Sequence, residues 1–126
     1  MADCGVCIGG YDGDEATFYN ERIAKARKAH RCYECRDEIA IGTEYELVSG
    51  KWEGLVESYH FCLQCSEIGK TFSCNGKRMF GSLWSDLEDV FDELTTGCLD
   101  ELITAAAKQK LMDRWRAWKF HEQATK

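Results

Sequence analysis

The chain contains no proline, only three histidines, and no apolar run approaching the roughly 20 residues that span a bilayer. Each absence excludes something. A rubredoxin-like iron knuckle is usually wrapped by proline and glycine, so their absence beside Cys32-x-x-Cys35 and Cys62-x-x-Cys65 favours zinc over iron there. No Ser-His-Asp order, phosphate-cradling glycine loop or carboxylate motif is present, so the common catalytic classes have no signature here. The first ten residues have neither a basic stretch nor an apolar core, so no secretory signal peptide is expected. Low-complexity segments are absent, as are internal repeats beyond the cysteine pairs.

What the chain has in excess is cysteine. Six of its eight cysteines fall in Cys-x-x-Cys pairs, and a long charged helical pattern follows them. That arrangement points to reduced thiolates in a cytosolic setting rather than to a disulfide scaffold. With 126 residues, a single domain is expected, with a zinc-stapled part at 1–78 and a helical part at 79–126.

The stretch 32–65 carries the strongest signal. Cys32-Tyr33-Glu34-Cys35 is followed by a strand pattern at 45–49, a turn region at 50–54 holding Trp52, a return strand at 55–61, and Cys62-Leu63-Gln64-Cys65. A short helix over 62–72 would carry the second thiolate pair in its first turn, where the helix dipole favours negative sulfur. Knuckle, hairpin and helix make a treble-clef zinc finger, an α+β arrangement, with Cys32, Cys35, Cys62 and Cys65 as four zinc ligands. Structural zinc of this kind contributes on the order of 10 kcal/mol or more to folding in small finger peptides.

Cys4, Cys7, Cys74 and Cys98 remain, and they are expected to hold a second zinc, pinning the N-terminus to the helical half. The competing reading completes that site with His60 or His30 and leaves Cys98 a buried thiol. Spacing also permits Cys4 and Cys7 to pair with Cys62 and Cys65 instead.

Outside the cysteines, a short helix is expected at 14–20 with Asp14 as its cap. Helices are expected at 80–94, ended by Thr95-Thr96-Gly97, and at about 99–121. The last would bury Leu99, Leu102, Ile103, Ala106, Leu111, Trp115 and Trp118, in a stripe broken near Lys110.

The net charge of −6 is unevenly spread. Arg22, Lys25, Arg27, Lys28 and Arg31 form a basic stretch that could meet nucleic-acid phosphates. Asp86, Glu88, Asp89, Asp92, Glu93, Asp100 and Glu101 form an acidic one without a basic residue, suited to a basic protein partner or to mimicry of nucleic acid. Trp115 and Trp118 suit a hydrophobic partner groove or a homodimer seam on the C-terminal helix, if they do not pack in the core. The bland alternative for each charged stretch is a solvated face.

The run from Ala26 to Cys35, then Ile39-Ala40-Ile41-Gly42-Thr43-Glu44-Tyr45, Ser49-Gly50-Lys51-Trp52-Glu53-Gly54 and Cys62-Leu63-Gln64-Cys65, resembles small treble-clef zinc proteins encoded by bacteriophages and prophages. Cys4-x-x-Cys7 and the segment 72–88 are similar to that family as well. The resemblance implies a zinc fold acting in the cytoplasm of a bacterial host, and it implies little mechanism. The expected function is a non-enzymatic interaction protein that binds and modulates a host protein or nucleoprotein complex, for example a nucleic-acid-handling or CRISPR-type defence complex. A nucleic-acid-binding regulator using 22–31 is the alternative, and an HNH-like metal-dependent nuclease using His60 or His30 as base is a weaker one.

Overall fold

The computed structural model describes residues 4–9, 18–52, 54–74 and 80–124; for residues 18, 19, 52 and 121–124 it describes the backbone alone. The expected helix at 14–20 therefore falls mostly outside the described residues, and its last three positions open a strand instead. That strand, β1 (Phe18–Lys25), lies at one edge of an antiparallel sheet. β4 (Glu44–Trp52) is central and β5 (Leu55–Cys62) takes the other edge. A second, two-stranded ribbon pairs β2 (His30–Arg31) with β3 (Glu38–Ile39). The hairpin read from the sequence is present, with longer strands and a tighter turn, Gly54 supplying the positive φ of 84° that the turn needs.

Helix α1 (Leu63–Phe72) continues directly from β5 and packs across β4 and β5. Its buried residues Cys65, Ile68, Gly69 and Phe72 recur at three- and four-residue spacing, as one helix face requires. Cross-strand pairing puts Glu21, Val48 and Tyr59 in one row and Ile23, Glu46 and Phe61 in the next. Glu46 is fully buried, and its charge is met by Lys70 of α1, Nζ to Oε2 2.9 Å; Lys70 also reaches Glu21 at 3.3 Å. A buried carboxylate needs such a partner to stay ionised.

The expected helix at 80–94 is shorter. α2 (Leu83–Asp89) buries Leu83, Trp84 and Leu87, then gives way at Val90 to a 3-10 turn, Phe91–Glu93. The knuckle caps α2 from a distance: Glu34 Oε1 accepts from the backbone N–H groups of Gly81 at 2.9 Å and Leu83 at 3.1 Å. Gly81 has a φ of 96°, and a Cβ there would lie 2.7 Å from the Tyr33 ring.

The expected helix at 99–121 is in fact two. α3 (Thr96–Leu99) buries Cys98 and Leu99, so Thr95-Thr96-Gly97 opens a helix rather than ending one. α4 (Ala105–Ala124) begins after a break at 100–104. Thr104 is its cap, the hydroxyl accepting from Ala107 N–H at 3.2 Å. Glu67 of α1 takes the N–H groups of Ile103 and Thr104 at 2.5 and 3.1 Å and the Thr104 hydroxyl at 2.7 Å. Those contacts satisfy donors that a continuous helix would have turned inward. The buried stripe of α4 is Ala107, Leu111 and Trp115, with Trp118 half-buried. Ile103 is 89% exposed and Ala106 is exposed, which corrects the expected stripe at both positions.

The N-terminal segment docks on the end of α1, Ile8 N–H donating to Phe72 O at 2.7 Å and Cys74 N–H to Ile8 O at 2.8 Å. One cluster of buried side chains runs from Ile8 through Cys32, Phe72 and Leu87 to Trp115, so both parts of the chain share a core. No described helix is long and apolar enough to cross a membrane.

Candidate metal centre

Cys32 and Cys35 stand on a tight turn between β2 and β3, closed by Cys32 N–H to Asp37 O at 2.9 Å and Arg36 N–H to Cys32 O at 3.0 Å. Arg36 takes the left-handed conformation just after the turn, φ 68°, where glycine is commoner. Its guanidinium lies 5.1 Å from the centre of the Tyr33 ring. Cys62 ends β5 and caps α1, its Sγ accepting from Cys65 N–H at 3.4 Å. Strand end, helix cap and first turn are thus consecutive, and that puts both sulfurs opposite the knuckle.

The four sulfurs lie within 4.8 Å of one another, and Cys35 Sγ and Cys62 Sγ are 3.9 Å apart. A tetrahedron with Zn–S bonds of about 2.3 Å has edges of about 3.8 Å, so the donor set fits a zinc ion. Cys32, Cys35 and Cys65 are buried and Cys62 is half-buried. Hydrogen bonds from Cys35, Cys62 and Cys65 hold the Cys32 thiol far below its ordinary value. Those from Cys32 and Cys35 push Cys65 far above its own, with burial adding to the shift. Four thiols packed this closely cannot all ionise alone; a dication at their centre removes that conflict.

Two further donors face the sulfurs. Trp84 Nε1–H of α2 points at Cys65 Sγ from 3.4 Å. Lys110 Nζ of α4 lies 3.1 Å from Cys35 Sγ, 3.6 Å from Cys62 Sγ and 3.1 Å from Asp37 Oδ2. Burial alone would lower the Lys110 pKa; the Cys35 hydrogen bond, the charges of Cys62 and Cys65 and the bond to Asp37 outweigh it and raise it. A tetrathiolate zinc carries a net charge of −2, so an ammonium here offsets part of it. The break that Lys110 makes in the apolar stripe was the only sequence sign of this role.

The other quartet is brought together differently. Cys4 is bonded to Cys98 and Cys7 to Cys74, as two disulfides. The expected second four-thiolate zinc is therefore not what the structure holds, nor is the expectation of eight reduced cysteines met. A sulfur in a disulfide has no free thiolate to give a metal. Neither His30 nor His60 joins the quartet or the first site; their rings stack on each other, 4.0 Å between centres, beside Tyr45. The proposed pairing of Cys4 and Cys7 with Cys62 and Cys65 does not occur.

Arg22, Lys25, Arg27, Lys28 and Arg31 are all exposed, along β1, the link to β2 and β2 itself. Glu88, Asp89, Asp92 and Glu93 are exposed too, on α2 and the turn after it, while Asp86 is half-buried and accepts from Ser82 Oγ at 2.9 Å. Trp115 is not a surface anchor: it is buried, and its indole N–H donates to Phe91 O at 3.1 Å. Trp118 packs edge-on against the Phe91 ring at 5.6 Å. Both therefore belong to the core side of α4. The side chain of Trp52 lies outside the described residues.

Comparisons with protein-family models, with curated proteins and with solved structures find no match to this chain.

Proposed function

We propose that the chain is a treble-clef zinc protein with no enzymatic activity, whose metal holds a surface for binding a host protein complex. The observation that carries this reading is the four-thiolate cluster. All four tetrahedral positions go to protein sulfur, which leaves none for a substrate or a hydrolytic water. A nuclease of HNH type needs an open position and a histidine base beside it, and His30 and His60 stack on each other and neither belongs to the sulfur cluster. The acidic segment supplies the surface, with Glu88, Asp89, Asp92, Glu93, Asp100 and Glu101 exposed and no basic residue among them. Its complement is a basic, nucleic-acid-binding protein face. Phage origin rests on the family resemblance, and action on a defence complex on that context rather than on any residue.

The exposed basic residues at 22–31 favour a second reading, direct binding of nucleic acid. One set of measurements separates the two. Retention of a duplex DNA probe is followed from 50 to 200 mM salt. Competition with that DNA for a purified host nucleic-acid-binding complex is followed in parallel. The favoured reading expects competition without DNA retention, lost when Glu88, Asp89, Asp92 and Glu93 become amides. DNA retained by the protein itself, falling steeply with salt and lost on Arg22→Ala/Lys25→Ala/Arg27→Ala/Lys28→Ala, would replace it with the second.

A further inference from the structure

The disulfide connectivity is crossed. Cys4 and Cys7 form a Cys-x-x-Cys pair yet are not bonded to each other, as the two cysteines of a dithiol redox motif would be. Each is bonded to a different element, Cys98 on α3 and Cys74 just after α1. Cys7 lies three positions after Cys4, so their Cα atoms stand within about 11 Å even if fully extended. Their partners' Cα atoms lie 4.8 Å from Cys4 and 5.0 Å from Cys7. The four cysteines therefore come from three segments: two from the N-terminal segment, one from α3 and one from just after α1. The first site takes its ligands in a similar way, from a turn and a strand–helix junction.

We propose that Cys4, Cys7, Cys74 and Cys98 form a second centre with two states, paired disulfides when oxidised and a zinc tetrathiolate when reduced. The interconversion balances. Four equivalents of a small thiol reduce the two disulfides to four cysteine thiols and leave two molecules of the small disulfide. Binding of one Zn²⁺ then releases four protons and gives a centre of net charge −2. In reverse, two molecules of a small disulfide such as glutathione disulfide, with four protons, regenerate the cystines and release four small thiols and Zn²⁺. Access orders the steps. Cys7 is exposed and Cys74 half-buried, whereas Cys98 is 1% exposed, so the Cys7–Cys74 bond is opened first. Cys32 and Cys65 have no exposed surface and Cys35 little, so the first centre offers the same reagent chiefly its half-buried Cys62.

The test is native mass spectrometry of the full chain in two conditions, with free zinc removed by gel filtration before each spectrum. As purified under air, one zinc and a mass four protons below the all-thiol chain are expected. After reduction with dithiothreitol and addition of excess zinc, two zincs are expected. Glutathione disulfide then returns the count to one, and the Cys7→Ser/Cys74→Ser variant stays at one throughout. That variant keeps the Cys4–Cys98 bond, and its retained first zinc shows that it is folded. One zinc in the reduced parent would overturn the proposal, leaving two purely structural cystines. Two zincs that survive glutathione disulfide would overturn the switching. No zinc in the oxidised state would count against the first centre instead, so the two failures are distinct.

Discussion

Replacing Lys110 tests how much of the metal's hold comes from outside its ligands. The ammonium makes one short contact to a ligand sulfur, 3.1 Å to Cys35, and one long contact, 3.6 Å to Cys62. The long one adds little as a hydrogen bond. A hydrogen bond to a charged group contributes about 1.5–3 kcal/mol, which corresponds to roughly 10- to 100-fold in affinity. Bare Coulomb attraction to a centre of charge −2 would give more. Asp37, 68% exposed, and water near the 18%-exposed Lys110 side chain screen that excess. Lys110→Met keeps the aliphatic stem against the core and removes the charge. Its zinc affinity, measured by competition with a chromophoric chelator, should fall about 10- to 100-fold, as other outer-shell losses do. Thermal unfolding of the zinc-saturated variant shows whether the fold is otherwise intact. An affinity within twofold of the parent would refute the reasoning and reduce Lys110 to a surface ion pair with Asp37.

Three other perturbations have definite expected outcomes. Burial tends to raise the Glu67 pKa, but bonds from the Thr104 hydroxyl and the N–H groups of Ile103 and Thr104 hold it below the ordinary 4.5. A lowered carboxyl contributes stability above its unfolded value and loses it as pH falls through the folded one. Parent and Glu67→Gln should thus differ in urea midpoint at pH 7, and the gap should narrow below about pH 4.5; a constant gap would remove the carboxylate from the account. Lys70→Met leaves the buried Glu46 charge without its ammonium and should cost up to about 3 kcal/mol, while Lys70→Met/Glu46→Gln recovers much of the loss; urea denaturation of both variants reads this, and additive losses would argue against the pair. Gly81→Ala combines a positive φ with a contact 2.7 Å from the Tyr33 ring, and should lower stability by about 1–3 kcal/mol by the same assay; an unchanged midpoint would mean the ring swings aside freely.

The four-cysteine cluster was legible because each part has a local signature. The Cys-x-x-Cys pairs, the strand pattern between them and the glycine at the turn all lie within 34 residues of one another. The helical half was less legible, since its boundaries are set by distant groups. Glu34 and Glu67 reach across from the part that carries the cysteine cluster to supply the ends of α2 and α4. Thr104 followed by three alanines is itself a readable helix start. The apolar spacing through Leu99, Leu102 and Ile103 masked it by running on over the break. Val90, where α2 stops, is flanked by neither glycine nor proline, so no local residue marks it. For Cys4, Cys7, Cys74 and Cys98 the sequence left several partner sets open, and whether they are thiolates or cystines was not readable, because spacing carries no information on oxidation state.

The lysine over the metal also has a consequence in time. Cys62 precedes Lys110 by 48 residues. At about 5–20 residues per second, a ribosome finishes the last ligand pair some 2–10 s before it makes that lysine. Knuckle, hairpin and the first turn of α1 are complete in that interval, and the edge of the sulfur cluster beside Cys35 and Cys62 is still open. Once α4 docks, Lys110 stands at that edge, beside a surface cavity that Cys62 also lines. A zinc ion bound there would load at an edge without its ammonium and leave past one, so loading and loss would follow different courses.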